Sequence, residues 1–302
     1  MSKLNIDQQT IKELFSNKRS DFIIPDYQRP YAWEETECQT LWDDIFMFAF
    51  PENDYTKFDS DNDEYFLGPI VTFKNDAGKL EIIDGQQRLT TLMLLLRAFY
   101  SKFGNMKDPY AVKTSEDIST CIWKTNEFGQ PDKNKLKIDS EVSTDDDKEE
   151  FLTILKTGLI DVNRKSRYAR TYRFFQDKIN EFLQEYPAYF AYLPTRILNN
   201  CILLPIEAES QDTALRIFST LLSIMEFYHE YRKIFDYFAM NYRMEIVEDR
   251  EEGGFVVSFP ELPGCITCGE TVESAVANAL DAKKHGWKLL WKMALKSMSR
   301  TA

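Results

Sequence analysis

The sequence predicts an α+β fold, and three patterns indicate this class. Short apolar runs between turn-forming residues, of which Phe22–Pro25 is the first, are typical of strands. Longer segments with apolar residues every three or four positions, such as Trp33–Phe50, are typical of helices. Near residue 241 the pattern changes to short strands and one small helix, so a second, smaller domain is expected. A length of 302 residues leaves room for both domains.

The first domain is predicted to cover residues 1–222. Its elements in chain order are a polar amphipathic helix at 1–20, a strand at 22–25, a helix at 33–50, strands at 65–73 and 80–83 joined by a turn at 75–78, a helix at 89–103, a helix at 168–186 and a strand at 202–206. Residues 104–165 contain polar runs, and we expect an insertion or a loop-rich stretch there.

The remaining residues are predicted to form a connector and the second domain. Residues 223–240 carry aromatic side chains at helical spacing, which indicates a helix that packs in a core or at a domain interface. Residues 241–302 begin as a compact β-β-β-α unit, with strands at 242–247 and 255–259 on either side of a turn. Thr271 is a suitable N-cap for the helix of this unit.

Composition and charge exclude several classes of protein. Apolar residues make up 43% of the chain, which is too many for a disordered protein. The net charge of −12 argues against a surface that grips duplex DNA throughout, because phosphate contacts need clustered Lys and Arg, although a local site is compatible with it. The sequence shows no secretory signal, no apolar run of about 20 residues and no disulfide pattern among its five cysteines. We therefore expect a cytoplasmic protein without a membrane partner.

Three further features favour plain interpretations. The two histidines, His229 and His285, lie outside any cluster of metal ligands, so a histidine-dependent nuclease is not expected in this chain. Cys265 and Cys268 form a CxxC without a second pair, which favours two reduced thiols over a zinc site. The basic C-terminal residues spiral around a helix, so a solvated helix is favoured over a docking surface for an acidic partner, nucleic acid or membrane.

The strongest candidate site is the polar segment Asp84–Arg88, which lies between an apolar strand and an apolar helix. The free amides of a first helical turn, the helix dipole and an Arg side chain all favour a phosphate group. Asp84 is a candidate to hold Mg²⁺ or orient a water molecule, and Gln86 or Gln87 to position a nucleophilic water. Asp84, Gln86 and Gln87 are therefore the candidate catalytic residues.

A second segment, Tyr27–Arg29, carries another Gln-Arg pair beside a strand end. On composition alone it is equally well explained as a structured loop. Taken together with Asp84–Arg88, it predicts that two guanidinium groups converge on one phosphate, because Arg offers a rigid fork of donors. The candidate nucleotide-binding residues are Tyr27, Gln28, Arg29, Asp84, Gly85, Gln86, Gln87, Arg88 and Thr90.

These motifs resemble a known family. The strings Ile24–Trp33, Phe66–Ile70 and Ile83–Leu92 are similar to the N-terminal domain of GmrSD-type restriction proteins, and the resemblance covers about residues 8–221. It implies a ParB-like α/β nucleotide-binding core with helical additions, and nucleotide hydrolysis coupled to defence against foreign DNA. It also implies that Asp84, Gln86, Gln87 and Arg88 form the nucleotide site, lined or sensed by Tyr27–Arg29.

The second domain carries its own resemblance. The strings Tyr242–Asp249 and Gly253–Cys265 are similar to HicB-like antitoxin domains, over about residues 241–287. That resemblance implies a degenerate RNase H-like fold that binds a small ribonuclease toxin without catalysis of its own.

Two functions follow from these resemblances. The first is a nucleotide-binding and NTP-hydrolysing sensor of a DNA restriction or phage-defence system, with an NTP of unknown identity and Mg²⁺ as cofactors. Because the sequence departs from the family after Leu221, its nuclease is expected to be a separate protein. The alternative is a non-catalytic, antitoxin-type protein that binds a toxin. A third reading, an inactive fusion of two partial domains, is also open.

Overall fold

The computed structural model describes residues 7–142, 145–161, 165–221, 243–250, 253–260 and 266–280. The chain forms two compact units, Met1–Ser219 and Thr220–Ala302. The predicted connecting helix, both histidines, Cys265 and the basic C-terminal residues lie outside the described residues.

The larger unit alternates helices and strands in the described part of the chain. Its elements are β1 (Gln9–Thr10), α1 (Ile11–Ser16), β2 (Phe22–Ile24), α2 (Glu35–Ala49), β3 (Tyr65–Lys74), β4 (Leu80–Asp84), α3 (Gln86–Phe103), α4 (Pro109–Ile122), β5 (Trp123–Thr125), β6 (Pro131–Leu136), β7 (Ile138–Ser140), α5 (Lys148–Thr157), α6 (Arg167–Glu185), α7 (Tyr192–Asn200), β8 (Cys201–Ala208) and α8 (211–221).

Six of these strands form one mixed sheet in the order β1-β8-β3-β4-β2-β7. Strands β4, β2 and β7 are parallel to one another, whereas β3 and β8 run in the opposite direction. The predicted turn between β3 and β4 is present, and the Asn75 side chain accepts a hydrogen bond from the Lys79 amide there. The carboxyl ends of β4, β2 and β7 therefore lie at one edge of the sheet.

Helix α3 is the centre of the larger unit. It is apolar on all sides, and the run from Leu92 to Leu96 is fully buried, as expected for a helix that is surrounded by other elements. Helices α4 and α6 pack against it, and its apolar residues belong to the main core. A rigid central helix of this kind holds both of its ends in fixed positions.

The expectation of a loop-rich stretch over residues 104–165 was wrong in part. Helix α4 and helix α5 lie within it, together with three short strands. The Asp108 side chain caps α4 by accepting hydrogen bonds from Tyr110 and Ala111 amides. The buried face of α4 contains small polar residues such as Ser115 and Ser119 beside apolar ones such as Ile118 and Ile122. The predicted N-terminal helix is also shorter than expected, because residues 9–10 form β1.

The smaller unit contains the β-β-β-α arrangement expected for it. Strand β10 (Phe255–Ser258) pairs antiparallel with both β9 (Glu245–Glu248) and β11 (Ile266–Gly269). Thr271 caps α9 (272–280) by accepting a hydrogen bond from the Ser274 amide at 3.2 Å. The buried side chains of its core are Val257, Phe259, Ala275 and Ala279.

The mixture of helices with a mixed sheet confirms the predicted α+β class. Among the described residues, no helix has the length and apolar character needed to cross a lipid bilayer.

Candidate functional site

The topology of the sheet brings the two Gln-Arg segments together. Strands β2 and β4 are parallel neighbours, with Phe22 opposite Leu80 and Ile23 opposite Glu81. The segment Pro25–Arg29 follows β2, and Asp84–Arg88 follows β4. Ligands of α/β sheets commonly bind outside the carboxyl ends of the strands. Both segments lie at that position.

Gly85 makes the sharp turn from β4 into α3. Its φ of 97° lies in the left-handed region, and a Cβ atom there would lie 2.4 Å from Cδ1 of Ile70, so only glycine fits. Gly85 is the N-cap of α3, which begins at Gln86 and not near Leu89 as expected. No side chain caps this helix end, so the amides of its first turn face outward without an intrahelical acceptor. This end of α3 favours an anion.

Asp84 ends β4 beside this helix terminus. Partial burial raises the pKa of its carboxyl, whereas the hydrogen bond from the Gly85 amide and the charge of Arg88 oppose the increase. Among the described residues, no group of three or more acidic, His or Cys side chains could hold a metal ion. Mg²⁺ is often held by one or two carboxylates together with substrate phosphates, and Asp84 fits that role.

Arg88 is held in place by strand β3. Its Nη1 donates to the carbonyl oxygen of Pro69 at 2.9 Å. Its guanidinium lies so close to Gly68 that a Cβ atom on that residue would be 3.0 Å from it. Burial lowers the pKa of Arg88 and the charge of Asp84 raises it. The motif Phe66–Ile70 therefore has a role that the sequence did not reveal, because it forms the support for this guanidinium.

Gln87 joins the two segments. Its Oε1 accepts a hydrogen bond from the Ala32 amide at 2.7 Å, and its Nε2 donates to the Pro30 carbonyl at 3.2 Å. The side chain is only 8% exposed. Both ends of the Gln87 amide are thus bonded to the backbone that follows Arg29, so this residue acts as a clamp. Gln86 is the more exposed glutamine of the pair.

Gln28 and Tyr27 fix the other segment. The Nε2 of Gln28 donates to the carbonyl oxygens of Ile82 and Ile83, at 3.2 and 3.0 Å. The hydroxyl of Tyr27, whose side chain is 51% exposed, donates to Glu81 at 3.5 Å. Burial raises the pKa of Tyr27, and the nearby Gln211 side chain lowers it. Tyr27 therefore lies close to the start of α8.

The remaining two predicted nucleotide-binding residues, Arg29 and Thr90, differ in solvent accessibility. Arg29 is exposed, and it forms no hydrogen bond or ion pair with the part of the chain that the structure describes. Thr90 is buried within α3, where its side chain is 2% exposed. Arg29 can therefore turn towards a ligand, whereas Thr90 supports the helix from inside.

Tyr31 anchors the loop to the core, which the sequence did not indicate. Its hydroxyl lies 2.8 Å from Oγ1 of Thr91, and its ring stacks on Tyr168 with the ring centres 5.1 Å apart. Tyr168 in turn donates a short hydrogen bond to Asp145. Burial raises the pKa of Tyr31 well above its ordinary value. The loop is thus packed against α3 and α6.

The larger unit is therefore an α+β domain in which the uncapped start of α3 lies beside the fixed Arg88, and the loop after β2 carries the exposed Arg29. A comparison with protein families gives a more specific assignment. The family model described as GmrSD restriction endonuclease, N-terminal domain, matches residues 11–223. The match covers more than half of the chain, and the protein belongs to this family. Membership indicates a role in a restriction or phage-defence system. No curated protein matches the chain.

Proposed function

We propose that this protein binds a nucleoside triphosphate at the amino end of α3 and acts as the sensor of a DNA restriction system. The observation that carries the proposal is the fixed position of Arg88 beside the uncapped first turn of α3. Backbone amides and a guanidinium are strong donors to phosphate oxygens, and the helix dipole adds a favourable field. The exposed Arg29 supplies a second cation to the same group.

The residues also suit a hydrolytic reaction. Asp84 would hold Mg²⁺, which neutralises phosphate charge when it is bound. Of the two glutamines, Gln86 is the better candidate to orient a water molecule, because the Gln87 amide is bonded to Pro30 and Ala32. Of the three candidate catalytic residues predicted from the sequence, Asp84 and Gln86 therefore keep that role. Gln87 is instead a positioning residue.

A nucleotide bound at this site would change the structure at the start of α8. Tyr27 lies in the loop that faces the phosphates, and its hydroxyl is close enough to the side chain of Gln211, the first residue of α8, for that side chain to lower its pKa. Closure of Arg29 on a ligand would move the neighbouring Tyr27, and so would change the start of that helix. The change at α8 would then alter the contact of this protein with DNA or with a separate nuclease.

The test is nucleotide binding and hydrolysis by the full chain and by its Asp84→Ala and Arg88→Ala variants. We expect saturable binding of at least one Mg²⁺–NTP by the wild type, with loss of hydrolysis in Asp84→Ala and of binding in Arg88→Ala. Equal background signals in all three proteins would contradict the proposal.

A second candidate function rests on the smaller unit. Its three-stranded antiparallel sheet and single capped helix support the resemblance to HicB-like antitoxin domains. Under this reading the protein binds a small ribonuclease toxin. Copurification with such a toxin, lost when residues 241–302 are deleted, would favour it over the sensor role.

A further inference from the structure

One face of helix α6 carries a row of exposed arginines. Arg167, Arg170 and Arg173 occupy every third position at the start of α6, and all three side chains are exposed. Residues three positions apart are neighbours on the surface of a helix. The buried side chains of α6, among them Tyr168 and Tyr172, lie on its other side. We call this row of three arginines the arginine stripe.

The charges of the arginine stripe are largely unpaired. In the part of the chain that the structure describes, its one ion pair joins Arg167 to Glu34 at 3.4 Å, with both side chains exposed. Arg170 donates to the carbonyl oxygen of Lys165 at 2.9 Å, and Arg173 has no hydrogen bond or ion pair with the described residues. Two of the three guanidinium groups therefore keep their full charge for a partner.

These charges do not stabilise α6 itself. A cation near the amino end of a helix opposes the helix dipole, and Arg167 is the first residue of α6. Like charges at neighbouring positions also repel, and Arg170 has an arginine three positions away on either side. Residues 162–176 contain five Lys and Arg and no Asp or Glu, in a chain with a net charge of −12. A local excess of positive charge that the helix disfavours indicates a negatively charged partner.

The form of the arginine stripe favours the phosphate backbone of a duplex. Three residues of a helix rise about 4.5 Å, so the stripe extends over about 9 Å. Each strand of a duplex carries a phosphate about every 3.4 Å along the axis, so several phosphates lie within that length. Surfaces for single strands add aromatic rings on which bases stack, whereas Tyr168 and Tyr172 are buried.

The arginine stripe begins beside the loop that carries Arg29. The ring of Tyr168, the second residue of α6, stacks on Tyr31 with the ring centres 5.1 Å apart. Glu34, the ion-pair partner of Arg167, follows the same loop. A duplex on the stripe would therefore lie next to one of the two segments of the candidate nucleotide site.

We propose that the arginine stripe contacts the phosphate backbone of duplex DNA without reading its sequence. Guanidinium groups form strong bidentate hydrogen bonds with phosphate oxygens. Contacts to phosphate position a protein on a duplex but carry no sequence information. The choice of DNA rests on the proposed role in a restriction system, whereas the contact with phosphate rests on the stripe itself.

The test is fluorescence anisotropy of the full chain, without nucleotide and at several salt concentrations, with a labelled DNA duplex of about 20 base pairs, or two helical turns. Arg170→Gln and Arg173→Gln should each weaken binding about tenfold and lower the slope of log affinity against log salt by about 0.9. Lys74→Gln is the matched control and should bind as the wild type does. It removes the same charge from an exposed position at the end of β3, at the opposite edge of the sheet.

Arg173→Gln separates binding from structure. Because Arg173 has no hydrogen bond or ion pair to lose within the described residues and lies three positions from Arg170, this variant should unfold at the same temperature as the wild type or higher. Its affinity for the duplex should nevertheless fall.

The double variant Arg170→Gln/Arg173→Gln keeps this test independent of the nucleotide site. It should bind Mg²⁺–NTP as the wild type does, because no residue of that site is changed. A wild type that binds the duplex through the arginine stripe but binds no nucleotide would contradict the proposed function and support this inference.

Three results would overturn the inference. The first is the absence of salt-sensitive binding of the duplex by the wild type. The second is equal affinity and equal salt slope for the wild type and the double variant. The third is tighter binding, at the same salt concentration, of labelled polyglutamate or of one strand of the same DNA, which would assign the stripe to an acidic protein or to a single strand.

Discussion

The two arginines of the candidate nucleotide site are held very differently. Arg88 is partly buried, lies against Gly68 and donates to the Pro69 carbonyl. Arg29 is exposed and has no hydrogen bond or ion pair within the described residues. The sequence presents them as equivalent members of two Gln-Arg pairs. The structure makes one a fixed part of the site and the other a movable one.

This difference indicates how the site would work. A side chain that is already held in place loses little conformational freedom on binding, so Arg88 can contribute most of its interaction energy to a ligand. Arg29 must be ordered by the ligand, which reduces its contribution but allows it to report whether the site is filled. The two glutamines next to them, Gln28 and Gln87, are both bonded to backbone and fix the frame.

The largest expected effect is that of Arg88→Ala on nucleotide affinity. A charge-assisted, preorganised contact to phosphate contributes about 3 kcal/mol, so the affinity should fall about 100-fold. Isothermal titration with the Mg²⁺–NTP that binds the wild type measures this. An affinity loss no greater than that of Arg29→Ala would show that the fixed arginine is not the main phosphate ligand.

The next effect is that of Gln87→Ala on stability. Removing this amide leaves the Ala32 N–H and the Pro30 carbonyl without their partner, which should reduce the free energy of unfolding by about 2 kcal/mol. Gln86→Ala is the matched control, since this neighbour is more exposed, and should change stability by less than about 0.5 kcal/mol. Urea unfolding compares the stability of the two variants. Equal unfolding midpoints would contradict the role of Gln87 as a clamp.

Arg29→Ala should have a smaller and more selective effect. We expect a loss of affinity of about tenfold, or about 1.4 kcal/mol, because the side chain must be ordered on binding. Thermal unfolding without nucleotide should be unchanged, since the exposed Arg29 has no hydrogen bond or ion pair to lose in the described structure. A clear fall in melting temperature would mean that Arg29 is as fixed as Arg88.

The smallest effect is a pH-dependent gain in stability for Asp84→Asn. Burial raises the pKa of Asp84 in the folded chain, so the ionised carboxylate opposes folding at neutral pH. Below the ordinary Asp pKa of about 3.9 the carboxyl is protonated in both the folded and the unfolded chain, so its burial does not reduce stability. The loss of stability develops as the pH rises through the raised pKa of the folded chain. Asp84→Asn should therefore be more stable than the wild type at pH 7 but not at low pH. A gain of equal size at both pH values would exclude this cause.

Much of the larger domain could be predicted because its apolar residues recur at regular helical or strand spacing. Helix α2 and strands β2, β3 and β4 lie where the pattern places them, and the turn at Asn75 has the side chain that such turns use. Helix α4 was missed because three polar residues, Thr114, Ser115 and Ser119, share its buried face with the apolar ones. The start of α3 was placed too late because Gln86, Gln87 and Arg88 are polar, although Gly85 is the residue that permits the helix to begin there.

The site was predicted as a set of residues but not as an arrangement. Motif strings supplied the candidate residues, yet nothing in a string distinguishes the clamp at Gln87 from its neighbour Gln86. The support of Arg88 by Gly68 and Pro69 depends on the antiparallel pairing of β3 with β4, which is a long-range contact. The same holds for Tyr31, whose partners lie in α3 and α6.

The central claim is that a phosphate group contacts the first turn of α3. The most direct measurement is amide NMR of the ¹⁵N-labelled chain titrated separately with the Mg²⁺ complexes of ATP, GTP, CTP and UTP. The account predicts that at least one nucleotide gives saturable shifts that are largest at the amides of Gly85, Gln86 and Gln87. If none of the four shifts these amides, or if the largest shifts lie elsewhere, the assignment of this site is contradicted.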